Sequence, residues 1–448
     1  MATVAKDAFA AALAMLAIPL VVLALDLALG GGGLLASKAL VVAAFSVVPL
    51  VLACLAPLVV GRDRKRLALG FGPTVRLIVI TAGISLCLQT GLLVFTAYVV
   101  EATLFHVVHV QILALVGLAG LAFAVFTIMA TFSAFRQPPE IVAGRRLDSR
   151  QAPALFETLG GLASRVGAAF PDNVVVGLEP GFFVTSAAVR LIEDPRPLGG
   201  TTLYASLPLC RLLTQDELAA VASHELAHFS GDDTLYSLRF APTYRLLLYT
   251  IGAMSGRSWL DVVITRPTRA VLTFSLAQFA SSERRIGRQR ELRADEIGAA
   301  IAGRLAMATA LLKLNLYAPL WPRLGGEVIK AEFQNTEIGN LSAAFLRIAA
   351  EYAASDMAAK VAKAAGSAMT HPTDTHPTTS DRLRALQVDL ASIPLEQLRP
   401  APTDPAALSG ASLFEIELTL SKVSQRLLAE SWRASQRAHA AARGGARR

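Results

Sequence analysis

Four long runs without a charged residue dominate the start of this chain: Ala8–Leu25, Ala39–Gly61, Leu77–Val100 and Ala102–Phe135. About 20 mostly apolar residues cross the hydrocarbon core of a bilayer as a helix. The last three runs meet that length, and the first does so if Asp26 sits at the outer interface beside Gly30–Gly33. Residues 1–135 hold eleven charged side chains and the other 313 residues hold 65, so the chain changes character near residue 135. A four-span membrane anchor, residues 1–135, is therefore predicted, followed by a body of soluble composition. A removable signal peptide is the alternative for the first run, and the spans that follow it favour a retained anchor.

This division explains the averages. The chain is 54% hydrophobic and 17% charged, against about 45–50% and about 25% for a soluble domain. Such a composition excludes a disordered chain or a disulfide scaffold. The formal charge of +8 first suggests nucleic acid, but its placement does not. The anchor nets +3, the tail from Arg433 nets +5 (Arg433, Arg437, Arg443, Arg447, Arg448), and residues 136–432 net zero. Basic ends around a neutral body do not make a nucleic-acid surface.

Short loops rich in Lys and Arg stay on the cytoplasmic side. Arg62, Arg64, Lys65, Arg66 and Arg76 lie between the second and third runs. Arg136, Arg145, Arg146 and Arg150 follow the fourth, and the loop between the third and fourth offers only Glu101. The expectation is a cytoplasmic N-terminus and a cytosolic body, in an integral protein of a bacterial inner membrane. Cys54, Cys87 and Cys210 show no paired spacing, so neither a disulfide framework nor a cysteine metal site is expected. His106 and His109, near the start of the fourth run, read as solvated residues at a span end.

The strongest local signal is Leu213-Thr214-Gln215-Asp216-Glu217-Leu218, followed by a run to Gly231 that contains His224-Glu225-Leu226-Ala227-His228. Thr214 and Glu217 have capping-box spacing, and Leu213 with Leu218 forms a hydrophobic staple. Gly231 is a natural C-terminal stop. A helix places His224 and His228 on one face, so both imidazoles reach one metal ion. Glu225, rotated by one position, reaches water beside that ion without ligating it. A catalytic zinc takes three protein ligands and keeps a fourth position open. Glu225 then has the place of a general base and, later, of proton donor to a leaving amine.

A third ligand is available in Ser282–Ala300, read as a second helix with Glu291 and Asp295 on one face. Glu291 completes a His₂Glu set, and Asp295 is placed to accept a hydrogen bond from the far nitrogen of a ligand histidine. Ala294, Gly298 and Ala299 allow close helix approach. Alone, the histidine motif arises by chance and the Arg/Glu stretch reads as a solvated face. Their occurrence together points to a metal centre.

These blocks resemble the membrane zinc endopeptidases of the HtpX heat-shock protease and CAAX prenyl protease type. Asn173–Gly177 through Pro180–Thr185 looks like that family's β-hairpin before the zinc helix. Leu218–Asp233 is similar to its extended helix motif, Arg288–Glu291 with Ala294-Asp295 to its third-ligand motif, and Thr375-His376-Pro377 with Arg382-Leu383 to its late His-Pro…Arg block. The resemblance covers about residues 150–390. It implies an α-helical membrane protein with an α+β, mostly helical zincin (gluzincin-like) peptidase domain carrying a small β-sheet. It implies one Zn²⁺ per chain on His224, His228 and Glu291, with Glu225 as catalytic base. Asp233, Asp295 and Arg382 support the centre, and His376 contacts substrate or the developing oxyanion. A second copy of the late motif, His371-Pro372, lacks an arginine at that spacing, and Thr378–Asp381 also reads as a plain helix start.

Between the zinc motifs the uncharged runs Leu246–Gly256 and Ala270–Ser282 are too short to span and read as a helical pair. The expected domains are the anchor 1–135, a cytosolic peptidase domain 136–393 with a helical insert 234–280, and a segment 394–448. That last segment comprises a Pro-rich linker, a helix from Ser412 toward Trp432 and the basic tail, which reads as a solvated end or a contact to anionic lipid. Thr201–Ser206 reads equally as a sheet edge open to an extended peptide or as an inner strand. The expected partners are protein or peptide substrates and the bilayer, and no oligomeric state is indicated. The competing reading is a non-catalytic, zinc-stabilised membrane adaptor, whose structural zinc would take a fourth protein ligand.

Overall fold

The computed structural model describes residues 2–445 apart from 31–32, 135–138, 195, 231–238, 241–242, 245–246, 249–250, 253–258, 367–376 and 401–410. It divides into two compact units: Met1–Gln137 with Leu238–Ile286, and Pro138–Ser237 with Gly287–Arg448. The stretch expected as an insert of the peptidase body thus groups largely with the N-terminal helices.

In the first unit, helices α1 (Ala2–Ala28), α2 (Leu34–Val60), α3 (Arg64–Val100) and α4 (Val110–Ala134) follow one another. Among the described residues, three helical stretches are long and apolar enough to cross a membrane: Lys6–Ala28, Leu34–Val60 and Arg64–Phe105. The described apolar part of α4, Val110–Val125, is shorter. The basic segment expected as a loop is mostly helix. Asp63 caps α3 by accepting the Arg66 N–H at 2.8 Å, so Arg64, Lys65 and Arg66 occupy its first turn and only Gly61–Asp63 connects α2 to α3. Polar groups join the helices inside: the Ser46 and Ser85 hydroxyls lie 2.7 Å apart, and Gln89 Nε2 donates to the Met15 carbonyl at 2.9 Å. Where lipid offers no partner, such bonds tie helix to helix.

Both uncharged runs are helical where they are described. Ala270–Ser282 belongs to α8 (Trp259–Ala302), a continuous helix of 44 residues that also carries Glu291. Its Val271 and Phe274 pack with Ala11, Met15, Ala53, Ile78, Leu86 and Ala124. Arg285 donates to the Gly61 carbonyl at 2.8 Å. A run too short to span by itself is thus the apolar section of a longer helix. Leu246–Gly256 lies partly outside the described residues, and its described positions are helical.

The second unit is α+β. A parallel pair joins β1 (Glu140–Val142) to β5 (Val189–Leu191). A four-stranded sheet runs β2 (Gly144–Leu147), β3 (Asn173–Gly177), β6 (Thr202–Ser206), β4 (Phe182–Thr185) in spatial order. The expected hairpin of β3 with β4 is therefore absent. β6 enters between them, parallel to β3 and antiparallel to β4, because its Thr-Leu-Tyr-Ala-Ser sequence is buried along almost its whole length. This makes Thr202–Ser206 an inner strand and leaves β4 as an edge. Gly177 is required where it stands, since a Cβ there would lie 2.6 Å from the Ala143 carbonyl oxygen.

Around the sheet pack α5 (Pro153–Val166), the short α6 (Leu207–Cys210), α7 (Gln215–Ala227), the C-terminal part of α8 and α9 (Arg304–Tyr317). They are joined by α10 (Trp321–Phe333), α11 (Leu341–Ala353), α12 (Met357–Gly366), α13 (Thr379–Ala385) and α14 (Ala411–Gly445). The Pro-rich segment begins as part of the body: Leu398 is fully buried and its carbonyl accepts from the Tyr317 hydroxyl at 2.8 Å. α14 continues through Arg433, Arg437 and Arg443 to Gly445, and Arg447 and Arg448 lie outside the described residues.

Candidate metal centre

The capping box of α7 forms as expected. Thr214 Oγ1 accepts the Glu217 N–H at 3.3 Å, and Glu217 Oε2 accepts the Thr214 N–H at 2.7 Å. Sequence reasoning missed the third partner of that carboxylate: Lys313 Nζ on α9 donates to Glu217 Oε2 at 2.8 Å, and both side chains are buried. The available signal was a single charged residue inside the apolar run Leu305–Leu316, because a buried ammonium requires a counter-ion. The helix ends at Ala227, earlier than the expected stop at Gly231, which lies outside the described residues. His228 is its C-cap and keeps right-handed helical angles, φ −67° and ψ −13°. The two histidines therefore retain their common face, with ring centroids 5.0 Å apart.

α8 brings Glu291 to the two rings. His224 Nε2 lies 3.6 Å from Glu291 Oε2, and His228 Nε2 lies 3.4 Å from Glu291 Oε1. These separations exceed the usual 2.7–3.0 Å of a hydrogen bond. They match the edge of a tetrahedron of donors, about 3.3–3.5 Å for ligand bonds of about 2.0–2.1 Å. One ligand atom from each residue lies within 4.8 Å of the others, and all three side chains are buried. The donor set and its spacing fit a single divalent cation.

The approach of the two helices depends on Gly298, where a Cβ would lie 2.7 Å from the Ala220 carbonyl oxygen. Asp295, fully buried, reaches back to α7, with Oδ1 2.9 Å from His224 Nδ1. Arg382 on α13 donates to both of its oxygens, Nε to Oδ2 at 2.7 Å and Nη2 to Oδ1 at 2.5 Å. Burial opposes charge on Asp295, but Arg382 and His224 outweigh it and hold the carboxyl below its ordinary value. Burial likewise opposes charge on His224, yet Asp295 and Glu291 hold its pKa up at about 10.

Glu225 is half-buried beside the ligand face. Thr378 caps α13 by accepting the Asp381 N–H at 3.1 Å, so the plain helix start read from the sequence forms, and Arg382 takes its place from that helix. Asp233, His371 and His376 lie outside the described residues. Arg290, immediately before Glu291 in the Arg-Gln-Arg-Glu block, was not singled out by sequence, and its Nη2 stands 3.2 Å from His228 Nδ1.

With this geometry in place, comparison with known proteins is informative. Residues 198–389 match the family model of peptidase family M48. The matched segment is less than half of the chain. Among curated relatives, a Protease HtpX homolog of Thermococcus sibiricus is 30% identical over 195 residues, 41% of this chain and 63% of its own. A Protease HtpX homolog of Methanopyrus kandleri is 33% identical over 166 residues, 36% of this chain and 49% of its own. One of Gemmatimonas aurantiaca is 31% identical over 182 residues, 37% and 59%. The chain thus spans less than two thirds of the length of these relatives. No solved structure matches it at a significant level. The M48 segment contains His224, His228, Glu291, Asp295 and Arg382, while the four N-terminal helices and α14 lie outside it.

Proposed function

We propose that this chain is a membrane-anchored, zinc-dependent endopeptidase that hydrolyses peptide bonds of membrane or membrane-associated proteins on the cytoplasmic side. The observation that carries the reading is the buried convergence of His224, His228 and Glu291 next to Glu225, inside the segment that matches family M48. His224, His228 and Glu291 hold the ion. When bound, it supplies Lewis-acid polarisation and acidifies water. Glu225 takes the proton from the attacking water and delivers it to the leaving amine. Asp295 Oδ1, 2.9 Å from His224 Nδ1, favours the proton on that nitrogen, which leaves the Nε2 lone pair for a cation, and Arg382 fixes the Asp295 carboxylate. Asp233 and His376 are assigned supporting and oxyanion-contacting roles on motif position alone.

An extended substrate would add to β4, which among the described residues pairs on one side only, with β6. Main-chain bonds of that kind read few side chains and suit broad specificity. Among the described residues three donors converge, which favours this reading over a structural-zinc adaptor, which would call for a fourth protein ligand.

The test is metal analysis and casein cleavage on the detergent-purified full chain. Wild type should hold one zinc per chain. Glu225→Gln should keep the metal and lose at least about 100-fold in rate. Undiminished cleavage by Glu225→Gln, or wild type without metal, would end this reading.

A further inference from the structure

A cavity of about 460 Å³ opens between α3 and α4. Cys87, Gly91 and Tyr98 line it from α3, and Leu113, Gly117 and Leu121 from α4. The two glycines leave it open: a Cβ on Gly91 would meet nothing within 4 Å, and one on Gly117 would meet Val94 Cγ2 at 3.8 Å, an ordinary contact. About one turn beyond Tyr98 and Leu113, where α3 passes into the single turn Glu101–Phe105, a polar pair closes that end. Glu101 Oε2 accepts the His109 N–H at 2.8 Å, and Glu101 Oε1 lies 3.5 Å from His109 Nδ1. A carboxylate has about four acceptor positions, so Glu101 can take a further donor.

The dimensions select the occupant. From Cys87 to Tyr98 the groove follows α3 for about 16 Å at about 1.5 Å per residue. Half of a hydrocarbon core of about 30 Å is about 15 Å, so the groove has the length of one leaflet. Tyr98 and the Glu101–His109 pair stand at its headgroup end, where aromatic and polar side chains belong. A transmembrane helix about 10 Å wide would occupy roughly 1,200 Å³ over that length, far more than the cavity holds. One acyl chain is thin enough to enter. We propose that the groove between α3 and α4 binds a phospholipid with a primary-ammonium headgroup, its chain against Gly91 and Gly117 and its ammonium on the Glu101 carboxylate. The inference rests on the N-terminal helices spanning a membrane and is independent of the metal centre. Chain burial against the apolar lining is non-directional, so selection falls to Glu101. An ammonium brings three donors and a positive charge to a carboxylate. A choline headgroup has no N–H to donate, and a glycerol headgroup has no positive charge.

The test counts bound lipid. The full-length chain in detergent is stripped of lipid and titrated with dioleoyl phosphatidylethanolamine, phosphatidylcholine or phosphatidylglycerol, with native mass spectrometry as the readout. Wild type should hold one phosphatidylethanolamine, about tenfold more tightly than either of the others. Gly91→Leu places a side chain in the groove and should weaken binding of phosphatidylethanolamine by about tenfold or more. Leu93→Phe, exposed on α3 and outside the lining, should bind as wild type. Glu101→Gln still accepts the His109 N–H through its carbonyl but carries no charge. It should abolish the headgroup preference while the chain still binds, a result that a misfolded protein would not give. Equal binding of the three lipids by wild type, a preference that survives Glu101→Gln, or unchanged binding by Gly91→Leu overturns the proposal. A dimer that holds no lipid also overturns it, because a second copy then covers the groove.

Discussion

Asp295 Oδ1 stands 2.9 Å from His224 Nδ1 while the same carboxylate receives two hydrogen bonds from Arg382. One buried acid thus links a helix bearing two histidines to a helix far along the chain. Asp295→Asn would leave Arg382 buried without its counter-ion. The expected cost is about 3–5 kcal/mol, with metal affinity down about 10–100-fold. Chemical unfolding and chelator competition measure the two effects. A variant as stable as wild type would show that Arg382 finds another anion.

Close packing of α7 on α8 should be equally sensitive. Gly298→Ala puts a methyl 2.7 Å from the Ala220 carbonyl oxygen, a backbone atom that cannot swing aside. A loss of about 1–3 kcal/mol is expected, together with weaker metal binding as Glu291 is displaced. Gly161 on α5 is the control, because its Cβ would meet nothing within 4 Å. Gly161→Ala should stabilise by about 0.5–1 kcal/mol. Thermal unfolding of the two variants in opposite directions is the readout.

The C-terminal helix should be integral to the body although it lies outside the M48 match. Glu417 on α14 accepts from Arg211 Nε at 2.9 Å and from Asn340 Nδ2 at 2.9 Å, with Glu417 and Arg211 both buried. Ser421 Oγ accepts the Leu341 N–H at 3.0 Å, and Gln425 Oε1 accepts the Ile338 N–H at 2.9 Å. Arg211→Met strands Glu417 and should cost about 3–5 kcal/mol. Adding Glu417→Leu should restore much of the loss. If the double variant is no better than the single, the charge was not the cause.

Topology is a separate matter of which side each connection faces. Reporter fusions at Gly33 and Glu101 should read as outside, and fusions at Arg64 and Ser149 as inside, because Arg64, Lys65 and Arg66 open α3 and Arg145, Arg146 and Arg150 follow α4. An outside signal at Ser149 would put the metal centre on the other face of the membrane.

Much of the centre was legible because helix periodicity is local information. The four-residue spacings of His224 with His228 and of Glu291 with Asp295 survive in α7 and α8, and the Thr214–Glu217 box marks where α7 starts. The sheet was less legible: β3 and β4 were expected as a hairpin from the resemblance to a family block, and nothing local announces that β6 comes between them. Run length alone could not show that Ala270–Ser282 is the apolar section of a longer helix, whose partners Ala11, Ala53 and Ile78 lie far away in sequence.

The sequence by itself determined the apolar helices, the neutral body, the capped histidine helix and the identity of the candidate ligands, because each follows from residue type at short spacing. Only the tertiary structure decided that Glu291 stands 3.4 and 3.6 Å from two imidazoles, that Asp295 answers His224, and that Arg290 answers His228. Those contacts join residues 62 to 71 positions apart. Chain separation carries no geometric information at that range, so burial and packing had to supply it.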